Sequence, residues 1–453
     1  MPAHGWADDD VESALAAPAR GWGPADDLPR VLVGPPPAAG RVLTPSGRSL
    51  SAAAARRVHE SVPHNTWRNR ESRTALFGAW CREHGRIATD PGTVPDYVAH
   101  LADLGHQPET LEAYVGALVP GLELSGHPLD AEDRSYIAAI INHRAAEAAD
   151  DPDGAGDALQ SAECSREDLA AMLATLDRST VAGRRDALAL ALDWYMAGRS
   201  CEPGALDLRD VAEVTAEFND PTTGEVLHLD ALAVTVRRSK TNVYGRTTET
   251  VRIVAQDDAT CPLAAYRAWR PVLAAAGVER GPLLRRVRNE RLTTAGRPPR
   301  DPARVGGIGA RTIRNLIATT AAAADLTREL TADERRLLST RAEQAEAAAL
   351  AEEERAAFAA ERRRARRLLR ASLVRYSGHS MRRGHVRHLQ KIGTPRHIIE
   401  AQCRYVYGSS ALARYLDERV PWAENPTVLM RRAARAAPRE RPLSPPAGPG
   451  LRG

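Results

Sequence analysis

Cysteine is scarce in this chain. Cys81, Cys164, Cys201, Cys261 and Cys403 are scattered, odd in number and never in CxxC spacing. That argues against a disulfide framework or a zinc site and fits a reducing cytoplasm. Aromatics make up only 4% of residues, so any core must be built from Ala, Leu and Val. No run of about 18 uncharged apolar residues occurs. The first residues, MPAHGWADDDVES, lack a basic segment followed by an apolar one. A soluble, unexported protein without a membrane partner is the expectation. Phosphate-binding glycine loops are also missing. Gly307-Ile-Gly309-Ala-Arg311 has neither a third glycine nor a preceding strand, which excludes the dinucleotide reading. No acidic cluster suggests a metal, and the set His385, His388, His397 and Cys403 fits no common ligand spacing. We expect neither metal nor cofactor.

Lysine is nearly absent too. It occurs only at Lys240 and Lys391, so 60 of the 62 basic residues are arginine, a bias resembling GC-rich bacterial coding. The formal charge of +4 hides an asymmetry. From Arg362 to Arg404 there are 13 basic residues and one acid, Glu400. A block this concentrated reads as a nucleic-acid footprint, against the alternative of a solvated face.

At 453 residues the chain has room for two or three domains. Residues 1–48 are rich in Pro, Gly and Asp without period and read as a disordered arm. Helical spacing runs from 49 to 149. Trp67, Thr74, Phe77, Trp80 and Cys81 share a face, Tyr97, Val98, Leu101 and Leu104 repeat it before Gly105, and Leu111, Tyr114, Val115 and Leu118 do so again. Arg68, Arg70 and Arg73 lie on the opposite face of the first helix as candidate DNA contacts, or as ordinary solvated charge.

Residues 150–164 form a polar linker, and Ser165-x-x-Asp168 caps the helix that opens a second domain over 165–421. An apolar helix passes through Ala187, Leu192, Trp194 and Tyr195. Strand alternation follows at Val234 and Val236, then at Val251 and Ile253, around a hairpin containing Ser239 and Lys240. Pro262 starts a helix carrying Tyr266 and Trp269, and Arg311 and Arg314 are placed to face phosphate from a helix start. Thr331-x-x-Glu334 caps one predicted long helix over 331–372, acidic first and basic last, whose bland reading is a solvated spacer. Residues 422–453 read as a disordered Arg/Pro/Ala tail.

The chemistry concentrates between 375 and 417. His379-Ser-Met-Arg382 puts an imidazole and a guanidinium three apart, with Arg383-Gly384 following and Tyr415 thirty-three residues beyond Arg382. Together with Arg199-Ser-Cys-Glu202, this is the equipment for cutting a phosphodiester with a tyrosine nucleophile. Two guanidiniums hold non-bridging oxygens, an imidazole exchanges protons, and cations activate the phenol.

The Arg199–Glu202 box continuing to Asp210-Val211, the Ser239-Lys240-Thr241 turn, the segment Tyr376-Ser-Gly-His379-Ser-Met-Arg382-Arg-Gly384 and the segment Ala413-Arg414-Tyr415-Leu416-Asp417 jointly resemble the tyrosine recombinase, or phage integrase, family over roughly 60–420. The resemblance implies a mainly α fold with a small antiparallel β-sheet. A helical core-binding domain (49–149) would precede a tyrosine-recombinase catalytic domain, with 331–372 inserted in it. It implies a site-specific DNA recombinase using Arg199, Lys240, His379, Arg382 and Tyr415. Glu202 would support Arg199, and Arg311, Arg314 and Arg383 would join the DNA contacts. The partner would be double-stranded DNA bound by a homotetramer of a mobile-element protein in the nucleoid. A relaxing topoisomerase of the type IB kind and a weakened DNA-binding protein on the same scaffold are the alternatives. There are two departures: the helix over 331–372 looks like an insertion just before the second box, and the other lies shortly before the tyrosine. Val406 occupies the position, nine before Tyr415, where the family carries His or Trp, with Tyr405 and Tyr407 beside it as substitutes or rival nucleophiles.

Overall fold

The computed structural model describes residues 40–43, 49–124, 126–157, 159–220, 222–239, 242, 244–296, 304–416 and 426–436. The protein is mainly helical with a small antiparallel sheet. It divides into two compact units, residues 1–388 and 389–453.

The first unit begins with β1 (Arg41–Leu43) paired antiparallel to β2 (Ser49–Ser51). Residues 41–43 are therefore ordered strand where the composition suggested a disordered arm; the remainder of that arm, 1–39 and 44–48, lies outside the described residues. The Ser51 hydroxyl accepts from Ala54 N and caps α1 (Ala52–Ser61). Helices α2 (His64–Glu83), α3 (Thr93–Asp103), α4 (Pro108–Leu124) and α5 (Ala131–Ala149) then enclose a first core. Its buried members include Phe77, Trp80, Cys81, Tyr97, Val98, Leu101, Leu111 and Leu118, the residues whose helical spacing marked them in the sequence. Gly105, at φ +80°, lets His106 N turn back onto Leu101 O at 3.2 Å and ends α3.

A second core lies around α7 (Val181–Tyr195). The predicted capping box is present at Ser165 and Asp168 and starts α6 (Arg166–Ala174). Leu188, Leu190, Leu192 and Trp194 of α7 meet Leu232, Val234, Val251 and Ile253 from the sheet. Tyr266 and Trp269 of α8 (Pro262–Ala275) and Ile313 and Ile317 of α9 (Ala310–Ala323) complete it. The sheet has the antiparallel order β3 (Val211–Asn219), β4 (Val226–Val236), β5 (Glu249–Val254). The sequence gives no clear sign of β3, because only Val211 of that strand is buried and no half-buried alternation exists to be read. A two-residue pair, β6 (Val287–Arg288) and β7 (Arg291–Leu292), follows α8.

Residues 331–372 are not one long helix. They form α10 (Ala332–Leu338), α11 (Thr340–Ala348) and α12 (Glu352–Ser372). Ser339 breaks the run by capping α11, its hydroxyl accepting from Ala342 N, and Ala351 is extended. The folded-back arrangement buries two guanidiniums of α12. Arg362 pairs with Glu346 and donates to Arg336 O at 2.7 Å. Arg366 pairs with Glu343 at 2.6 Å and donates to Leu337 O at 2.7 Å and Ser339 O at 3.1 Å. The segment is thus a packed helical layer and not a solvated spacer. Helix propensity alone, high throughout this Ala/Glu/Arg stretch, could not signal the breaks.

In the second unit, α13 (Gly378–Lys391), which begins in the first unit, is followed by α14 (Arg396–Gln402), α15 (Ser410–Ala413) and α16 (Pro426–Ala436). Helix α16 falls in the stretch expected to be a disordered tail. Pro426 suits a helix start, and Leu, Met, Arg and Ala are good helix formers. Residues 417–425 and 437–453 lie outside the described residues.

Candidate active site

Arg199 sits in the turn after α7, and Glu202 fastens it. The Glu202 side chain is buried, accepts from Arg199 N at 3.3 Å and pairs with Arg199 Nη1 at 3.2 Å. Arg199 keeps a quarter of its side chain exposed (25%). The same turn meets the start of α13. A Cβ on Gly378 would lie 2.6 Å from Ser200 Oγ and 3.4 Å from Arg314 Cγ, so the absence of a side chain there lets three segments converge. These are the Arg199 turn, the His379–Arg382 turn and α9.

Arg382 is almost wholly buried (2% exposed) and donates from Nη1 to Ala197 O at 2.6 Å. Ala197 is in the left-handed region, at φ +44°, a conformation that costs a non-glycine residue roughly 1 kcal/mol. Strain in the turn thus accompanies the carbonyl that receives Arg382. His379, by contrast, is exposed, with its backbone N–H on Ser377 Oγ at 3.2 Å.

The end of the linker braces this helix. Ala162 N donates to Arg375 O at 2.7 Å, Cys164 N to Ser380 O at 3.1 Å, and Ser161 Oγ lies 2.6 Å from Ser377 Oγ. Gly384 makes the approach possible, since a Cβ there would fall 1.6 Å from Cys164 O. Arg383, expected on DNA, donates to Gln160 Oε1 at 2.5 Å and Ser161 O at 3.2 Å. His385 is buried edge-on against Trp194, ring centroids 4.6 Å apart, and burial pushes its pKa down to about 3. Among the described residues no group of three or more His, Cys, Asp or Glu could hold a metal ion.

Lys240 lies outside the described residues. Among its described neighbours, Arg237 Nε donates to the buried Asp210 at 2.5 Å, Asn242 Oδ1 accepts from Arg246 N at 3.0 Å, and Asn242 N donates to Ser239 Oγ at 3.1 Å.

Tyr415 belongs to the second unit. It follows α15, with its N–H on Leu412 O at 2.8 Å and buried Leu412 and Leu416 on either side. The Tyr405 ring is 6.2 Å from that of Tyr415, whereas Tyr407 (86%) and Val406 (81%) are the most exposed of the run. Glu400 shapes this segment. Although it is the single acid of the basic block, it is buried, accepts from Gly408 N at 3.1 Å and from Arg396 Nε at 3.2 Å, and its carbonyl takes Tyr405 N at 2.8 Å.

The basic block is therefore less available than its composition implies. Besides Arg362 and Arg366, Arg363 donates to Leu104 O at 2.6 Å, Arg364 pairs with Asp151 at 2.8 Å and with Asp153, and Arg367 donates to Asp157 O at 2.6 Å. These guanidiniums fix α12 to its own layer, to α3 and to the linker. Of the arginines expected on DNA in α2, Arg73 donates to Ala113 O at 2.8 Å and stacks 5.1 Å over Tyr114. Arg68, Arg311 and Arg314 are exposed and Arg70 half-buried. Sequence reasoning also passed over Asp193, in α7. A lone acid inside the run Ala187–Met196 was the available signal. Against protein-family models the chain has no match, and no curated protein matches it.

Proposed function

We propose that this protein is a site-specific DNA recombinase that cuts and rejoins duplex DNA through a covalent 3′-phosphotyrosine. The observation carrying this reading is the convergence at Gly378, where the backbone of the His379–Arg382 turn rests on the turn bearing Arg199, with Arg314 alongside. Two guanidiniums from distant parts of the sequence are the minimum for gripping the non-bridging oxygens of one phosphodiester. In the proposed step the Tyr415 oxygen attacks phosphorus, His379 takes or relays the phenol proton, and the P–O5′ bond breaks. Lys240 supplies the proton to the leaving 5′ oxygen. Arginine, with a pKa above about 12, could not do so. The phosphotyrosine keeps the bond energy, so a free 5′ hydroxyl can reverse the step without a nucleotide cofactor. A synaptic homotetramer and residence in the nucleoid belong to the same proposal.

Two labelled duplexes carrying the cognate site test it. Exchange of strands between them is the expected result; relaxation of supercoils without exchange would favour the topoisomerase reading. The exposed Val406 motivates one further reading, a DNA-binding protein with weakened catalysis. It predicts binding with no strand cleavage at all.

A further inference from the structure

Asp193, near the end of α7, is completely buried (0% exposed), and neither carboxyl oxygen has a hydrogen-bond partner among the described protein groups. It lies under the turn that bears Arg199. Its carbonyl accepts from Gly198 N at 2.8 Å, and a Cβ on Gly198 would fall 2.7 Å from its Oδ1. The residue before that glycine, Ala197, offers the carbonyl that holds Arg382. An ionised carboxylate without protein donors in such a place would cost several kcal/mol, which favours the un-ionised form. Burial raises its pKa well above the ordinary value, the Glu202 carboxylate adds to the rise, and Arg382 opposes it. Other titratable neighbours are the Cys164 and Cys201 thiols, both shifted up chiefly by desolvation, and Arg199 stands behind Glu202.

Counting charge gives the consequence. Arg199 and Arg382 contribute two positive charges and Glu202 one negative, so a neutral Asp193 leaves the pair net positive. Building on the recombinase reading, we infer that Asp193 is a positioning residue for Arg382, whose un-ionised carboxyl leaves one guanidinium charge uncompensated for a phosphodiester. Ionising it would cancel that charge. Binding an anion between the arginines therefore favours the protonated carboxyl, and above the pKa of the DNA-free protein each binding event takes up a proton. Affinity should then fall with rising pH by up to about tenfold per pH unit. Stability follows the same sign. The folded carboxyl binds its proton more tightly than the unfolded one, so the contribution of Asp193 worsens as pH rises above about 3.9 and levels off beyond the folded value.

The full-length protein and its Asp193→Asn variant test this in three measurements. Denaturant unfolding should show the variant gaining on the wild type as pH rises from about 4. Infrared spectra of the wild type at neutral pH should contain a buried un-ionised carboxyl band that the variant lacks. Anisotropy titration with a duplex should show the wild type losing affinity with rising pH across an interval in which the variant is flat. A stability difference independent of pH, with no such band, would mean an ionised Asp193 and overturn the inference. So would parallel affinity profiles in the two proteins. Should the variant fail to fold, the wild-type band and wild-type profile decide the matter, and absence of either overturns it. Failure of the recombinase reading looks different: no covalent adduct forms, while the pH linkage to DNA binding persists.

Discussion

Arg366 is the residue whose loss should loosen the layer formed by α10, α11 and α12. Its guanidinium is buried and joins the ends of α10 and α11 to α12 through Leu337 O, Ser339 O and the Glu343 carboxylate. Arg366→Ala removes the donor to the Leu337 carbonyl and the Glu343 carboxylate and one of two donors to Ser339 O, which keeps Glu343 N at 3.1 Å. Two neutral hydrogen bonds at about 1 kcal/mol each and one charge-assisted bond at about 2 sum to roughly 4 kcal/mol. Glu343 retains 17% side-chain exposure and can be partly rehydrated, so the expected cost is nearer 3 kcal/mol. The loss should be local. Hydrogen exchange across 332–348 should accelerate while α7 stays protected, and Arg366→Lys should recover little, because one ammonium cannot reproduce the planar fork. A cost under about 1 kcal/mol, with exchange across 332–348 unchanged, would refute the clamp.

Gly384→Ala should destabilise the protein by roughly 3 kcal/mol or more in urea unfolding, since the intruding Cβ meets backbone at Cys164 that cannot rotate away. His385 is neutral in the fold and protonated in the unfolded chain between pH 3 and 6.5, so its contribution is complete above 6.5 and lost as pH falls towards 3. His385→Phe should abolish that slope, worth up to roughly 5 kcal/mol, in acid-unfolding curves. Arg363→Ala and Arg364→Ala should leave the salt dependence of DNA affinity unaltered, because both side chains already serve protein acceptors; a slope reduced by about one per arginine would show phosphate contact instead. Lys240→Arg should cleave ordinary DNA about as poorly as Lys240→Ala, and both should recover on a 5′-bridging phosphorothiolate, whose sulfur leaves without a proton. Equal impairment on the two substrates would remove Lys240 from proton transfer.

What the sequence disclosed was mostly what repeats or caps. The helical spacing of Phe77, Tyr97 and Leu111, the box at Ser165 and Asp168, and the buried run of α7 all rest on local rules that the fold leaves intact. Availability of charge was not legible. The block from Arg362 to Arg404 reads as a footprint from composition, which counts guanidiniums without counting the protein acceptors that Arg362, Arg366 and Arg367 reach in the fold. Strand β3 escaped for the converse reason, having one buried residue and no periodic contrast. At the candidate site the residue types were plain, while the glycines that permit close approach, Gly378 and Gly384, acquire meaning only once Ser200 and Cys164 are seen against them.

The central claim is that Tyr415 becomes covalently joined to DNA. A duplex nicked just beyond the cleavage position loses its 5′-hydroxyl fragment by diffusion and traps the intermediate, which denaturing electrophoresis then detects. The wild type should give a protein–DNA band. Tyr415→Phe should bind the same duplex and give none, having lost only the attacking hydroxyl. An adduct that survives in Tyr415→Phe but disappears in Tyr405→Phe or Tyr407→Phe would contradict the assignment.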